Sequence, residues 1–464
     1  MSVDERRQRV ERGLSAVLQV AGRTVEHHSL AARMDRYRVP GAAVAVVDDG
    51  ELSWASGYGV VRAGEARPVH ASTLFQAASI SKAVAAVGVM ALAEHGVVDL
   101  DADVNSALRS WRLPSSEHTA EQPVTLRHLL SHTAGTTVPG FPGFPYGTAA
   151  PDAVGVLSGT GGATPAVESF AAPGTVAQYS GGGSTIVQQL VSDVTGRDFA
   201  ELMHDLVLQP FGMVDSAYDQ PLAAHRRGRA AVGHDEAGRP VAGDHHVYPE
   251  LQAAGLWTTV VDLARWVIGV QGILRGGRTG PISTSTAQLM VTGVGLGVFG
   301  LGPELGGDGD LARFGHSGAN AGFRCNAEGL VHRGQGAVVM TNSDSGVTLC
   351  AEVRRAIADE YGWGHVVGTT VEVAAVDPSV LERLAGPYSG PFDRRMRIIH
   401  TDDELYSPAP YGRRRLLPLD ERTFLDEETG ATLVVHDDAT GRVDRIAVVV
   451  DGAELMSFSP MERS

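Results

Sequence analysis

Ser79-Ile80-Ser81-Lys82 stands directly before the longest apolar run of the chain and contains the only lysine among its 464 residues. Every other basic side chain is arginine or histidine. Arginine stays charged in proteins, whereas a buried lysine can give up its proton. A single retained lysine therefore reads as a position where a neutral amine is needed. On a helix, residues i and i+3 share a face, which brings the Lys82 amine within reach of the Ser79 hydroxyl. That is the arrangement of a serine nucleophile activated by a lysine base. The run that follows, Ala83 to Ala93, is too short to cross a bilayer and reads as a buried core helix.

Outward from this helix, the pattern towards the N-terminus predicts a helix over 4–37, closed by Pro40-Gly41. A β-hairpin over 41–62 follows, turning at Asp48-Asp49-Gly50. The Ser79 helix runs to about Glu94 and stops at Gly96. Thr125 caps a short helix through Leu130. From Gly135 to Gly183 the chain is rich in Gly, Pro and Thr, a long ordered loop of the kind that shapes clefts. Helices are expected at 184–195, 198–208 and about 259–273. Strands return from Phe314, most clearly over Gly336 to Thr341. Past Val376-Asp377-Pro378 the texture changes. Short β-rich runs (Met396 to Ile399, Thr432 to His436, Ile446 to Val450) between turn residues predict a small antiparallel barrel or sandwich.

Composition excludes several classes of function. The chain is 43% hydrophobic and 20% charged, as a soluble globular protein with a sizeable core would be. A net charge of −16 argues against nucleic acid as a partner. The arginine clusters Arg394-Arg395 and Arg413 to Arg415 read as solvated surface. No signal-peptide pattern precedes the fold and no segment suits a membrane, so a cytoplasmic location is expected. The two cysteines, Cys325 and Cys350, have neither disulfide nor zinc spacing and read as buried thiols. The acidic run Asp99-Leu100-Asp101-Ala102-Asp103 lacks the glycine and closing glutamate of a calcium loop. No metal and no cofactor is expected.

Three further segments join Ser79 and Lys82. They are Leu129-Leu130-Ser131-His132-Thr133-Ala134-Gly135, Gln178-Tyr179-Ser180-Gly181, and Phe314-Gly315-His316-Ser317-Gly318-Ala319-Asn320. With Val39-Pro40-Gly41, Gln209-Pro210-Phe211-Gly212-Met213 and Ala254-Gly255-Leu256-Trp257-Thr258-Thr259, they occur in an order that resembles the penicillin-recognising serine hydrolases. That family holds class C β-lactamases, DD-peptidases, and related esterases and D-aminopeptidases. The resemblance covers roughly 39–345.

It implies an α/β fold of the β-lactamase/transpeptidase type, an antiparallel sheet flanked by helices. The hydrolase domain would span 1–375, with a helical insertion at about 97–260. A lipocalin-like β-barrel domain would follow over 376–464. By the same resemblance Ser79 attacks an acyl carbon and Lys82 relays its proton. Tyr179 matches the tyrosine of the family's Y-x-N motif and works with the lysine. His316-Ser317-Gly318 takes the place of K-T-G, so His316 lines the site while Ser317 and Gly318 border the substrate. The N–H groups of Ser79 and Ala319 form the oxyanion hole.

Gly181 replaces the asparagine of Y-x-N and His316 the lysine of K-T-G, changes familiar in the esterase, peptidase and acyltransferase branches. A serine hydrolase acting on an ester or amide of a small molecule or peptide is expected. The alternative is a transacylase or peptide cyclase passing the acyl group to an amine or alcohol. β-Lactamase, DD-peptidase and non-catalytic binding rank below. Ser131 and His132 read as structural, while His245-His246 are compatible with either cleft or surface.

Overall fold

The computed structural model describes residues 2–364, 369–390, 395–409, 412–450 and 453–461. The N-terminal stretch is not one helix. It forms α1 (Val3–Arg12), β1 (Leu18–Val20) and α2 (Leu30–Tyr37). Gly13 ends α1, and a pair of backbone hydrogen bonds between Leu14 and His28 closes the intervening loop. Helical periodicity in the charged residues masked that break.

The hairpin forms as expected from β2 (Gly41–Asp48) and β3 (Glu51–Gly59). Asp49 and Gly50 both take positive φ, 52° and 76°, the left-handed pair that matches the twist of two joined strands. Then come β4 (Phe75–Gln76) and α3 (Ile80–Glu94). The chain next makes α4 (Val104–Ala107), α5 (Leu126–Leu130), β5 (Phe144–Pro145), α6 (Ala153–Leu157), α7 (Gly181–Thr195) and α8 (Phe199–Met203). After β6 (His246–Val247), α9 (Leu251–Ala254) and β7 (Trp257–Thr258), α10 (Val260–Leu274) and α11 (Thr284–Met290) lead back to the sheet.

The sheet is completed by β8 (Glu304–Gly306), β9 (Arg313–Asn320), β10 (Phe323–Leu330) and β11 (Gly336–Thr341). Its order is β3-β2-β11-β10-β9-β8, antiparallel at every joint. Ala42 to Val47 of β2 and the whole of β11 are buried on both faces, which is why they read as unbroken apolar runs rather than alternating ones. Ile80 to Leu92 of α3 are likewise buried without interruption, so that helix has no polar face. These residues, α10 with Trp266, and the buried Trp257 share one hydrophobic core. This compact unit comprises residues 1–7 and 38–350.

A second compact unit comprises 8–37 and 351–464. Within it β1 pairs in parallel with β12 (Thr369–Val371). Tyr37 Oη donates to Glu352 at 2.8 Å, and Arg33 lies 3.0 Å from the same carboxylate. Burial pushes the Glu352 carboxyl up to about 7. Residues 8–37 thus make their contacts with the C-terminal part of the chain. The texture change at 376 coincides with α13 (Pro378–Leu384), whose first turn is capped by Asp377 accepting from the Ser379 N–H at 2.9 Å.

Eight strands then close into an antiparallel barrel. They are β13 (Gly386–Ser389), β14 (Arg395–Thr401), β15 (Glu404–Ala409), β16 (Gly412–Pro418), β17 (Thr423–Asp426), β18 (Thr432–Asp437), β19 (Val443–Val450) and β20 (Ala453–Pro460). Tyr388, Ile398, Leu405, Leu416, Phe424, Leu433, Val435, Ile446 and Phe458 form its core. Among the described residues no helix is long and apolar enough to cross a membrane.

Candidate active site

The site is built on the turn between β4 and α3. β4 is held by β7, and the Ala77 N–H donates to Leu256 O at 2.8 Å. Ala78 then takes φ 49°, a left-handed conformation that a side chain adopts only under local strain. This kink delivers Ser79 to the cap position immediately before α3. Ser79 makes no side-chain capping bond, so its hydroxyl is not spent on the helix end. It is half-buried, whereas Ile80 to Leu92 behind it are buried.

Lys82 sits one turn on, with Nζ 3.2 Å from Ser79 Oγ and 2.8 Å from the Ala253 carbonyl. Ala253 takes one N–H and so aims the rest of the amine at Ser79. Burial lowers the Lys82 ammonium to about 7, opposed by the negative charge of Glu250. Glu250 is itself buried, and desolvation raises its carboxyl to about 7. A lysine in this setting is largely free of its proton just above neutrality, as a base must be.

Tyr179, His132, Phe299 and His316 surround that amine. Lys82 Nζ lies 4.8 Å from the centroid of the Tyr179 ring, which is 6.0 Å from His316 and 4.4 Å from His132. Phe299 packs edge-on to His132 at 4.6 Å and stands 5.7 Å from His316. Burial raises the Tyr179 phenol well above its ordinary value, and proximity to Ser79 only partly opposes this. The phenol is therefore a protonated neighbour of the serine, although its Oη is not in hydrogen-bonding geometry with any described residue. His316 Nδ1 lies 2.6 Å from the Ser317 carbonyl, so Nδ1 carries the proton and the buried Nε2 is left as an unpartnered acceptor. Burial, then the Lys82 charge, lowers this imidazole to about 3, so it is neutral at physiological pH.

β9 forms the opposite wall. Ser317 and Ala319 point outward and are exposed, while Gly318 faces the Ser79 turn. A Cβ at Gly318 would lie 2.3 Å from Ala77 O and 2.4 Å from Cys325 Sγ, so only glycine lets the strand approach this closely. β8 pairs with Arg313 to Gly315 alone, leaving that edge of β9 unpaired by β8 from His316 to Asn320. Asn320 Nδ2 ties the strand end to Gln76 Oε1 at 2.8 Å and to Ala254 O at 3.1 Å.

The lack of a side chain at Gly181 does not leave open space. Gly181 begins α7, three residues ahead of the predicted start, because Ser180 caps the helix by accepting from Gly183 N–H at 2.8 Å. A Cβ at 181 would meet the Phe141 ring at 2.8 Å. The loop aromatic takes the volume that a side chain would have filled.

Ser79, Lys82, Tyr179 and His316 thus lie in one cluster. Four participants were not singled out from sequence: Glu250, Ala253, Phe299 and, as a member of the site, His132. Ser131 is structural, its Oγ donating to Arg127 O at 2.7 Å. His132, read as structural too, accepts the Ser180 N–H at 3.2 Å through Nδ1 and packs on Tyr179. Its positive φ of 57° turns it away from the helix path that its neighbours suggest. His245 is buried, stacked on Tyr146 at 4.9 Å, and His246 Nδ1 lies 2.9 Å from Pro142 O.

The Lys82 environment sets a pH dependence. With Lys82 acting as the base, kcat/KM for an activated ester is expected to rise with pH through about 7 and to level off above it. Glu250→Gln removes the charge that favours the ammonium, and the rise then moves to lower pH. A profile flat from about pH 5.5 to about pH 8.5, measured by stopped-flow release of p-nitrophenol, contradicts this.

The family model described as Beta-lactamase matches residues 28–361. The chain belongs to the Beta-lactamase family. Among curated relatives, the Esterase EstB of Burkholderia gladioli is 31% identical over 232 residues, 46% of this chain and 57% of that protein. Penicillin-binding protein 4 of Amycolatopsis lactamdurans is 31% identical over 180 residues, 39% of this chain and 45% of that protein. The chain spans about half the length of the curated relatives it matches. In fold it is similar to the octameric penicillin-binding protein homologue from Pyrococcus abyssi, with TM-score 0.60, 20% identity and coverage of 92% of this chain and 98% of that one. This family is one of serine hydrolases, with an esterase, penicillin-binding proteins and a D-aminopeptidase among the relatives.

Proposed function

We propose that this Beta-lactamase family member cleaves an ester or amide of a small molecule or peptide through an acyl-serine at Ser79. The observation that carries the reading is the Lys82 amine, desolvated to about 7 and 3.2 Å from Ser79 Oγ. Neutral Nζ accepts the hydroxyl proton as Oγ attacks the acyl carbon. The tetrahedral oxyanion is received by the N–H groups of Ser79 and Ala319, and the substrate lies along the edge of β9. The proton returns through Lys82, with the Tyr179 phenol beside it, to the departing alcohol or amine. Water then repeats the sequence on the acyl-enzyme.

Hydrolysis is favoured over transfer to a bound acceptor by the Phe141 ring, which occupies the space beside Gly181 that an acceptor would need. The lack of a fixed cation at 316, where neutral His316 stands, supports esters and uncharged amides over penicillin-like carboxylates.

The test is twofold. A fluorophosphonate probe adds once and maps by mass spectrometry to Ser79, and Ser79→Ala stays unlabelled with an unchanged circular dichroism spectrum. Labelling at Ser131 or Ser317 refutes the assignment. With p-nitrophenyl esters in water at about 55 M, millimolar amines capture only a minority of the acyl group. An amine or alcohol that saturates at low concentration and suppresses hydrolysis makes the protein a transacylase instead.

A further inference from the structure

The barrel carries a solvent-open cavity of about 1370 Å³. Its wall is not uniformly apolar. Along one row of paired inward positions stand His400, Leu405, Leu416 and Asp426. Beside it, Ser407 pairs with Arg414 across β15 and β16. Arg414, expected on the solvated surface, thus lines the lumen with Ser407, His400 and Asp426. Ile398, Leu433, Val448, Met456 and Phe458 supply the apolar remainder.

The polar atoms at this end are incompletely satisfied. Arg414 Nε is 3.3 Å from Asp426 Oδ2, an ion pair without hydrogen-bond alignment, and Nε has no hydrogen-bond partner. His400 Nε2 is also buried without one. Asp426, by contrast, already accepts the Glu428 and Thr429 N–H groups through Oδ1, at 3.1 and 3.0 Å. Unused capacity at the polar end includes a guanidinium donor, while the buried acid is occupied. Arg395 and Arg397, exposed beside the cavity, add positive charge. Small barrels either fill with side chains or hold one small molecule, and this one leaves room of that volume beside its core residues.

We infer that the barrel is a binding site for an amphipathic carboxylate, with the acid on Arg414 and its apolar body among Ile398, Leu433, Val448, Met456 and Phe458. A guanidinium matches a carboxylate in planar two-point geometry, and the apolar wall rewards chain length. An apolar ligand without an acid would leave the Arg414 donor unsatisfied, and a cationic one would face Arg414, Arg395 and Arg397. This site is separate in chemistry from acyl transfer at Ser79 and does not depend on it.

The experiment uses the full chain with Ser79 first blocked by a fluorophosphonate, so that the catalytic serine is closed to the probe. Titration calorimetry with sodium octanoate, decanoate and dodecanoate gives saturable binding that tightens roughly fourfold per methylene. Arg414→Met weakens dodecanoate binding by about tenfold or more, the scale of a lost charged hydrogen bond, and leaves dodecan-1-ol within a factor of two. Ester hydrolysis by the unblocked variant is unchanged. Independently of any variant, a diazirine-bearing fatty acid photolabels peptides within 385–461. Absence of saturable binding, equal loss of acid and alcohol binding in Arg414→Met, or photolabelling confined to residues 38–350 overturns the assignment.

Discussion

Lys82→Arg lowers the acylation rate at least ~100-fold, the scale of a missing general base. Arginine preserves charge and much of the length, so loss of a simple electrostatic contact would leave most activity. Three features of the site make the neutral amine decisive. Burial brings Lys82 to about 7, Ala253 holds one N–H at 2.8 Å, and Oγ of Ser79 is within reach at 3.2 Å. A guanidinium remains protonated in all of them and offers no lone pair. Its permanent charge would also stand beside His132 and His316, both held neutral by burial with the Lys82 charge acting in the same direction. Burst-phase kinetics with a p-nitrophenyl ester measure the acylation step itself. Activity within a factor of three of the parent would mean that the lone lysine is not the base.

Gly318→Ala reduces kcat/KM by about 100-fold, the usual consequence of displacing reacting groups by about 1 Å. The added methyl meets the Ala77 carbonyl at 2.3 Å and Cys325 Sγ at 2.4 Å. Neither can withdraw cheaply. Ala77 is anchored through its N–H to Leu256, and the Cys325 thiol is buried, 3.1 Å from the Ala77 carbonyl to which it donates. Either β9 retreats, taking Ala319 from the oxyanion, or the turn carrying Ser79 is pushed along α3. Overpacking of this kind costs about 1–3 kcal/mol of stability. Thermal melts therefore show a lower midpoint with folding retained, and fluorophosphonate labelling of Ser79 slows. A variant that labels and turns over within threefold of the parent would show that the close approach of β9 to the Ser79 turn has no catalytic consequence.

Hydrolase and transferase share the acyl-enzyme, so neither result separates them. The distinction rests on what approaches from the side of Gly181, where Phe141 now stands. Phe141→Ala opens that space, and amine capture in the partition experiment is the measurement it should raise if acceptor access is the limiting factor.

The parts of this protein legible in its sequence are those governed by neighbours along the chain. The i, i+3 spacing placed Lys82 on the face of Ser79, because helical geometry requires it. Asp49-Gly50 marked the hairpin since few residue pairs accept two positive φ angles in succession. Val376-Asp377-Pro378 marked the change of texture, although the short helix α13 that begins there, capped by Asp377, was not read from it. Regular short apolar runs marked the barrel. Tertiary structure alone decided the rest. Glu250 carries no pattern in sequence and matters only because α9 brings it, buried, towards Lys82. His132 looked like part of a helix end until a positive φ turned it onto Tyr179. The Tyr179 phenol is raised because desolvation outweighs the opposing influence of Ser79, and burial is not a property of a tripeptide. Phe141 fills the place beside Gly181 from forty residues away in sequence, and Arg414 turns into a barrel that only closure of eight strands creates. Local spacing singles out the proposed nucleophile and base; long-range packing sets their proton, their neighbours and the room left around them.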